Sequence, residues 1–463
     1  MSERENEFEK LIERFENMVN TGSTFFFDSE EYEDIIDHYF AANKVDMVKV
    51  ALDKATAQFP YSVTFKISKA QYLSAIHKTH EALNLLNDLE HIEPSNPDLY
   101  ITRAYIYSQT GLSEQAIENY KLALPLSDEK DEIYVALGAE FYNQGKPIDA
   151  IYYFKKALKV NKDNDLAISE LALCYDLAGE SAAAVEFFTE FIDENPYNHY
   201  AWFNLGVSYS RLGDHEKAID AYDYCIAIKE DFSSAYFNKG NALANMAKYK
   251  EAIDVYKETF SYEKADPNAL YYIGECFENL EDYDNALVYY NRCVKIDPNY
   301  ADAWLAIGIV LDAQNRLTEG IHYIKKALDL NPKEAEFWYV YAEVQQKLGF
   351  HEEAGDAYAT VIELGYEHFD IWLDYSDLLM EAGHADTAII MLQEGLKKFP
   401  EVAELHYRMS ALLLENNKKQ EALVYLQNAL SLDYEKHNEL FEYAPALKDN
   451  NAIVEVINTY KKQ

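Results

Sequence analysis

The chain has 463 residues, 49% of them apolar, and its 81 acidic and 41 basic side chains give a formal net charge of −40. Apolar content at this level, with 39 Tyr and 23 Phe, buries enough surface to offset chain entropy and argues against disorder. The charge argues against nucleic-acid partners, whose phosphates are neutralised by Lys and Arg, and the lack of any run of about 18 apolar residues argues against direct membrane insertion.

Taken in chain order, Met1 to Lys10 alternates acids with polar residues and lacks the basic start and apolar core of a signal peptide, so a cytoplasmic protein is expected. The four scattered cysteines, Cys174, Cys225, Cys276 and Cys293, fit a reducing compartment and read as small core residues. Phe8, Leu11, Ile12, Phe15 and Met18 recur at helical spacing, which predicts an amphipathic helix over Glu3 to Asn20 and a turn at Thr21-Gly22-Ser23. Residues 1–28 are expected to form this capping helix and turn. Asp28 followed by Glu31 has capping-box spacing, and Phe27 with Tyr32 is placed as the hydrophobic staple that fixes the start of the next helix.

From residue 29 the chain repeats. Gly206, Gly240, Gly274 and Gly308 stand 34 residues apart, and the same step from Ile36 to Ala444 gives about thirteen units in one register. Twelve residues after these positions sits a second small residue, such as Ala150, Ala218 or Ala252, with Gly320 in one unit and Val48 and Val456 at the two ends. Four residues further comes a bulky one, such as Phe154, Tyr222 or Tyr256, which is one turn along the same helix face. Between the two small positions the chain offers Gly or Asn, as at Gly213, Asn315 and Asn451, residues that tolerate the left-handed backbone just past a helix end. The pattern predicts helix hairpins, with twelve units over 29–436 and a degenerate last unit, broken by Pro445, as a cap over 437–463.

The period, with Trp202, Leu205, Gly206, Tyr209, Ala218, Tyr222 and Pro196, resembles the tetratricopeptide repeat. The resemblance implies an all-α, right-handed superhelical solenoid whose first helices line a concave groove, and a non-catalytic protein-binding scaffold without cofactor or metal. The residues give no competing chemistry. Gly138 to Gly145-Lys146 has the wrong glycine spacing for a phosphate loop and no preceding strand, Ser127-Asp128-Glu129-Lys130 is an isolated S-x-x-K string, and His77 with His80 has no third ligand in view.

Carried over position by position, the family's groove-facing places hold an acidic set, Asp302, Glu336, Glu343, Asp370, Asp374 and Asp377, opposed strongly only by Lys347 and Arg408. They also hold an aromatic row, Phe203, Phe237, Tyr271, Tyr339 and Tyr407, and a partial asparagine ladder, Asn204, Asn238 and Asn241, whose amides can donate to and accept from an extended backbone. The basic residues of the family's clamp for a carboxylate tail are replaced by Ser234, Asn268 and Tyr272. The expected ligand is therefore a protein or peptide segment that is basic where it meets the groove. The alternatives are a structural protein that self-assembles into homo-oligomers and a regulatory subunit of a separately encoded enzyme.

Overall fold

A computed structural model describes residues 3–461, with side chains from residue 7 onward. Among the described residues every regular element is helical. The chain divides into two compact units, residues 1–235 and 236–463.

In unit 1 the helix Glu3–Thr21 turns Phe15 and Met18 into a cluster with Phe27, Tyr32, Ile35 and Tyr39. The predicted capping box is present, since the Glu31 amide donates to Asp28 Oδ1 at 2.8 Å and the Asp28 amide to Glu31 Oε2 at 2.9 Å. The staple rings of Phe27 and Tyr32 lie 5.4 Å apart. Hairpins follow from Ser29–Ala41 with Val45–Gln58 through His199–Arg211 with His215–Ile228, and in unit 2 from Pro267–Asn279 with Tyr283–Ile296 through Ala403–Glu415 with Lys419–Leu432.

Three devices set the hairpin geometry, and each is a function of repeat position. The first is the reversal. Asn43, His77, Gly213, Ala247, Glu281, Asn315 and Asn417 all have φ between 53° and 77°, and they fall on one 34-residue register. His77 is thus a turn residue, and within the described residues no group of three or more His, Cys, Asp or Glu could hold a metal. The second is close approach. A Cβ added at Gly206 would stand 2.5 Å from the Tyr222 ring, and one at Gly320 only 3.0 Å from the Gly308 carbonyl oxygen, so Gly320 stands where the two backbones nearly touch. The third joins consecutive hairpins. Trp202, Trp304 and Trp338 donate Nε1–H to the carbonyls of Pro196, Pro298 and Pro332 at 2.8, 2.9 and 2.9 Å, and Tyr100 donates its hydroxyl to Pro94 at 2.9 Å. His406 Nε2 lies 2.9 Å from the Pro400 carbonyl, and because a carbonyl only accepts, this nitrogen carries the proton.

The register fails in two places. Asn451 does not reverse the chain; it begins the helix Asn451–Tyr460, which Asn450 caps, because Pro445 has already split the preceding segment into Glu439–Tyr443 and a 3-10 turn over Pro445–Asp449. Before Trp372 the chain has Tyr366 where the units of Trp202, Trp304 and Trp338 have proline, and Trp372 Nε1 is buried without a partner among the described residues. All four cysteines are buried and free; burial pushes the Cys174 thiol up to about 11 and those of Cys225, Cys276 and Cys293 up to about 12, so none is a thiolate nucleophile at neutral pH.

Candidate functional site

In unit 2 the first helices Ala335–Lys347, Asp370–Glu381 and Ala403–Glu415 place their charged residues one above another on a single face, because each helix presents the same repeat positions. These residues enclose a pocket of about 670 Å³. The groove residues read from sequence meet here: Glu343, Asp374 and Asp377 line the pocket with Glu381 and Glu415, and so do the opposing Lys347 and Arg408. Tyr339 adjoins it by donating its hydroxyl to Asp374.

The cations are already engaged. Lys347 Nζ pairs with Asp312 at 2.5 Å. Arg408, only 6% exposed, pairs with Asp377, donates Nε–H to Ser376 Oγ at 3.1 Å, and stands 4.7 Å from the centroid of the Tyr443 ring. Burial holds the Arg408 guanidinium below its ordinary value, offset in part by Tyr443 and Glu415. Asp377 is therefore satisfied internally. Glu343, Asp374, Glu381 and Glu415 have no ion pair with Lys or Arg among the described residues; Glu381 accepts a hydrogen bond from Gln346 at 2.9 Å.

Burial dominates the electrostatics of this face. It pushes Glu343 above the usual carboxylate range against the opposing pull of Lys347, with Asp374 and Asp312 adding to the rise. Asp374 is raised by burial and by Asp370, and the Tyr339 hydrogen bond does not cancel the effect. Further along unit 2, burial likewise raises Glu278, which accepts the Tyr290 hydroxyl at 2.7 Å. Asp370 lies 2.7 Å from His368 Nδ1, while Asp302 and Glu336 are exposed and stand apart from the pocket.

The aromatic row is mostly a packing device. In unit 1 Phe203 packs against Phe232 at 5.2 Å, and in unit 2 Phe237 packs against Tyr272 at 5.6 Å and Tyr271 against Tyr300 at 5.3 Å. Tyr407 does not reach the surface at all. It is 0% exposed and donates its hydroxyl to the Asp433 carbonyl at 2.8 Å, inside a cluster with Leu440 and Ile453 that the irregular C-terminal segment supplies. Asn204 is buried in unit 1 at 7% exposure. Asn238 and Asn241 are partly exposed on the helix Ser233–Asn245, three residues apart and thus on one face, and Asn241 Oδ1 accepts the Tyr256 hydroxyl at 2.6 Å, which leaves its NH₂ as the open group.

A second pocket, of about 760 Å³, lies wholly within unit 1. Sequence reasoning missed it by weighing groove positions only from residue 200 onward. Asp37, Gln71 and Tyr105, one at each of three successive 34-residue steps, occupy the repeat position of Glu343 and Asp377.

Tetratricopeptide repeat profiles match residues 97–129, 135–199, 199–232, 233–266, 267–300 and 305–365. The chain belongs to the tetratricopeptide repeat family, and its hairpin array is the all-α repeat fold that the sequence implies. Such repeats are protein–protein interaction scaffolds. No curated protein matches the chain. Among solved structures it is similar to YrrB, described as a TPR protein with an unusual peptide-binding site, at 23% identity over 43% of this chain and 98% of that one with a TM-score of 0.34. It is also similar to the APC/C hetero-tetramer Cut9–Hcn1, at 14% identity over 91% of this chain and 94% of that one with a TM-score of 0.42.

Proposed function

We propose that the chain is a non-catalytic scaffold that holds a basic segment of a partner protein against the acidic face of unit 2. The observation that carries this reading is the pocket in which Glu343, Asp374, Glu381 and Glu415 converge while Lys347 and Arg408 are each committed to another carboxylate. Carboxylates held above their usual range by burial gain most from an incoming Lys or Arg, which supplies the missing counter-charge where water is already displaced. Asp370, Asp302 and Glu336 extend the negative field along the same unit and steer the encounter. The NH₂ groups of Asn238 and Asn241 are suited to the carbonyls of an extended segment, whereas Asn204 and Tyr407 serve packing.

The test uses a fluorescein-labelled peptide of alternating Lys and Ser as the probe, with association followed by stopped-flow anisotropy. The triple variant Glu343→Gln, Asp374→Asn, Glu381→Gln is expected to lower affinity by about tenfold or more, chiefly through the association rate, and to flatten its salt dependence. Wild-type and variant curves that superimpose would refute the reading.

A further inference from the structure

The unit 1 pocket has a different chemistry from the face of unit 2. First helices of four consecutive hairpins, Ser29–Ala41, Val63–Ala75, Pro97–Gln109 and Lys130–Asn143, contribute to it, so it is elongated along the register rather than confined to one hairpin. Its walls are apolar, from Phe40, Ile101, Tyr105 and Ile133. Tyr105 is 53% exposed, and a large half-bare aromatic ring in a concavity is the usual anchor of an interface.

The polar groups constrain what can lie there. Gln71 donates Nε2–H to Thr102 Oγ1 at 3.4 Å, which leaves its amide oxygen to accept a backbone N–H, and Gln109 stands exposed further along. At the rim are Asp37, Glu129 and Glu132, and of the residues lining the pocket none is Lys or Arg. Burial, with Asp34 adding to it, already raises Asp37 above the usual carboxylate range. An apolar ligand that capped the mouth without a charge would desolvate these carboxylates further and leave them unpaired, and an anionic one would be repelled.

We propose that this pocket binds a short peptide segment of a partner protein, which inserts one aromatic or large aliphatic side chain against Phe40, Ile101 and Tyr105 and pairs a flanking Lys or Arg with Asp37 or Glu132. A peptide fits better than a compact metabolite because Asp37, Gln71 and Tyr105 repeat at one position over three hairpins and present charge, amide and ring in a row. The site is separate from the unit 2 face and stands or falls independently of it.

The experiment selects peptides from a phage-displayed random dodecapeptide library on the immobilised full chain, then measures the synthetic, labelled peptides by anisotropy. The enriched peptides are expected to share a bulky apolar residue next to Lys or Arg. Tyr105→Ala, which removes a half-exposed ring and should keep the circular dichroism spectrum and melting midpoint, is expected to weaken them by about tenfold or more. Asp37→Asn with Glu132→Gln should weaken them and flatten the salt dependence, while the unit 2 triple variant should bind them normally. The proposal is overturned if no sequence is enriched, if the enriched peptides lack the cation, or if Tyr105→Ala binds them as well as wild type. Peptides lost only in the unit 2 triple variant would also overturn it, while supporting the unit 2 reading. Sedimentation showing that the free chain dimerises unless Tyr105 is replaced would assign the pocket to a second copy and overturn the peptide.

Discussion

The residue at each hairpin reversal must adopt a left-handed backbone, and the sequence does not always supply one that does so readily. Gly213 has φ of +77° and Asn315 of 60°, but Ala247 and Glu281 are held at 56° and 57° in the same register. A side-chain-bearing residue pays about 1–2 kcal/mol for this region, and glycine avoids that term while losing about 0.5–1 kcal/mol more backbone freedom on folding. Ala247→Gly and Glu281→Gly are therefore each expected to stabilise unit 2 by roughly 0.5–1 kcal/mol, read as a rise in the thermal midpoint, with Asn315→Gly as a near-neutral control. A fall in midpoint for both would mean that the turn is not strained by its side chain.

At the scale of elements, most of the fold was legible because it follows from local spacing. The capping box at Asp28 and Glu31 is one such case: Asp28→Ala leaves the Glu31 amide without its acceptor and should cost about 1 kcal/mol. In an array stabilised by neighbour contacts that loss stays local, so hydrogen exchange is expected to quicken over Glu3–Thr21 and Ser29–Ala41 and to stay unchanged in unit 2. Uniform quickening throughout unit 1 would point to a more cooperative block. What the period could not reveal were departures that depend on tertiary context. Asn451 carries the right residue at the right register yet caps no reversal, because Pro445 ends the preceding helix early. Tyr407 stands at a groove position but is sealed by the segment that this break rearranges. The acidic set was readable by position, whereas its division into paired Asp377 and unpaired Glu343, Asp374 and Glu381 required the three-dimensional partners Arg408 and Tyr339. The unit 1 pocket was within reach of the same register, and its signal was Tyr105 at the repeat position of Asp37 and Gln71.

At the scale of the whole molecule, a net charge of −40 makes stability depend on pH, and the carboxylates fall into two sets of opposite behaviour. In unit 2 burial raises Glu278, Glu343 and Asp374, so the folded unit binds more protons than the unfolded chain between the ordinary carboxylate value and the raised one. Stability from these groups must increase as pH falls through that window. In unit 1 Glu90 is lowered, first by its hydrogen bond from Arg103 at 2.7 Å, and Asp131 is lowered because, although burial raises it, the bonds from Asn161, Asn164 and the backbone amides of Asp131 and Glu132 together prevail. Their contribution is complete above the ordinary carboxylate value and is lost only as pH falls through the lower, folded value. Glu33 and Asp37, raised mainly by burial, place the helix Ser29–Ala41 with the groups that gain. As pH falls from neutral toward the ordinary carboxylate value, hydrogen exchange corrected for its intrinsic pH dependence should slow over Pro267–Asn279, Ala335–Lys347, Asp370–Glu381 and Ser29–Ala41, and stay level over Thr79–Glu90 and Lys130–Asn143. Below about pH 4 the order should reverse, with Thr79–Glu90 and Lys130–Asn143 losing protection first as Glu90 and Asp131 take up their protons. Acceleration in the unit 2 helices already above the ordinary carboxylate value would mean that their carboxylates act as paired anions, and would remove the basis for their drawing a basic partner.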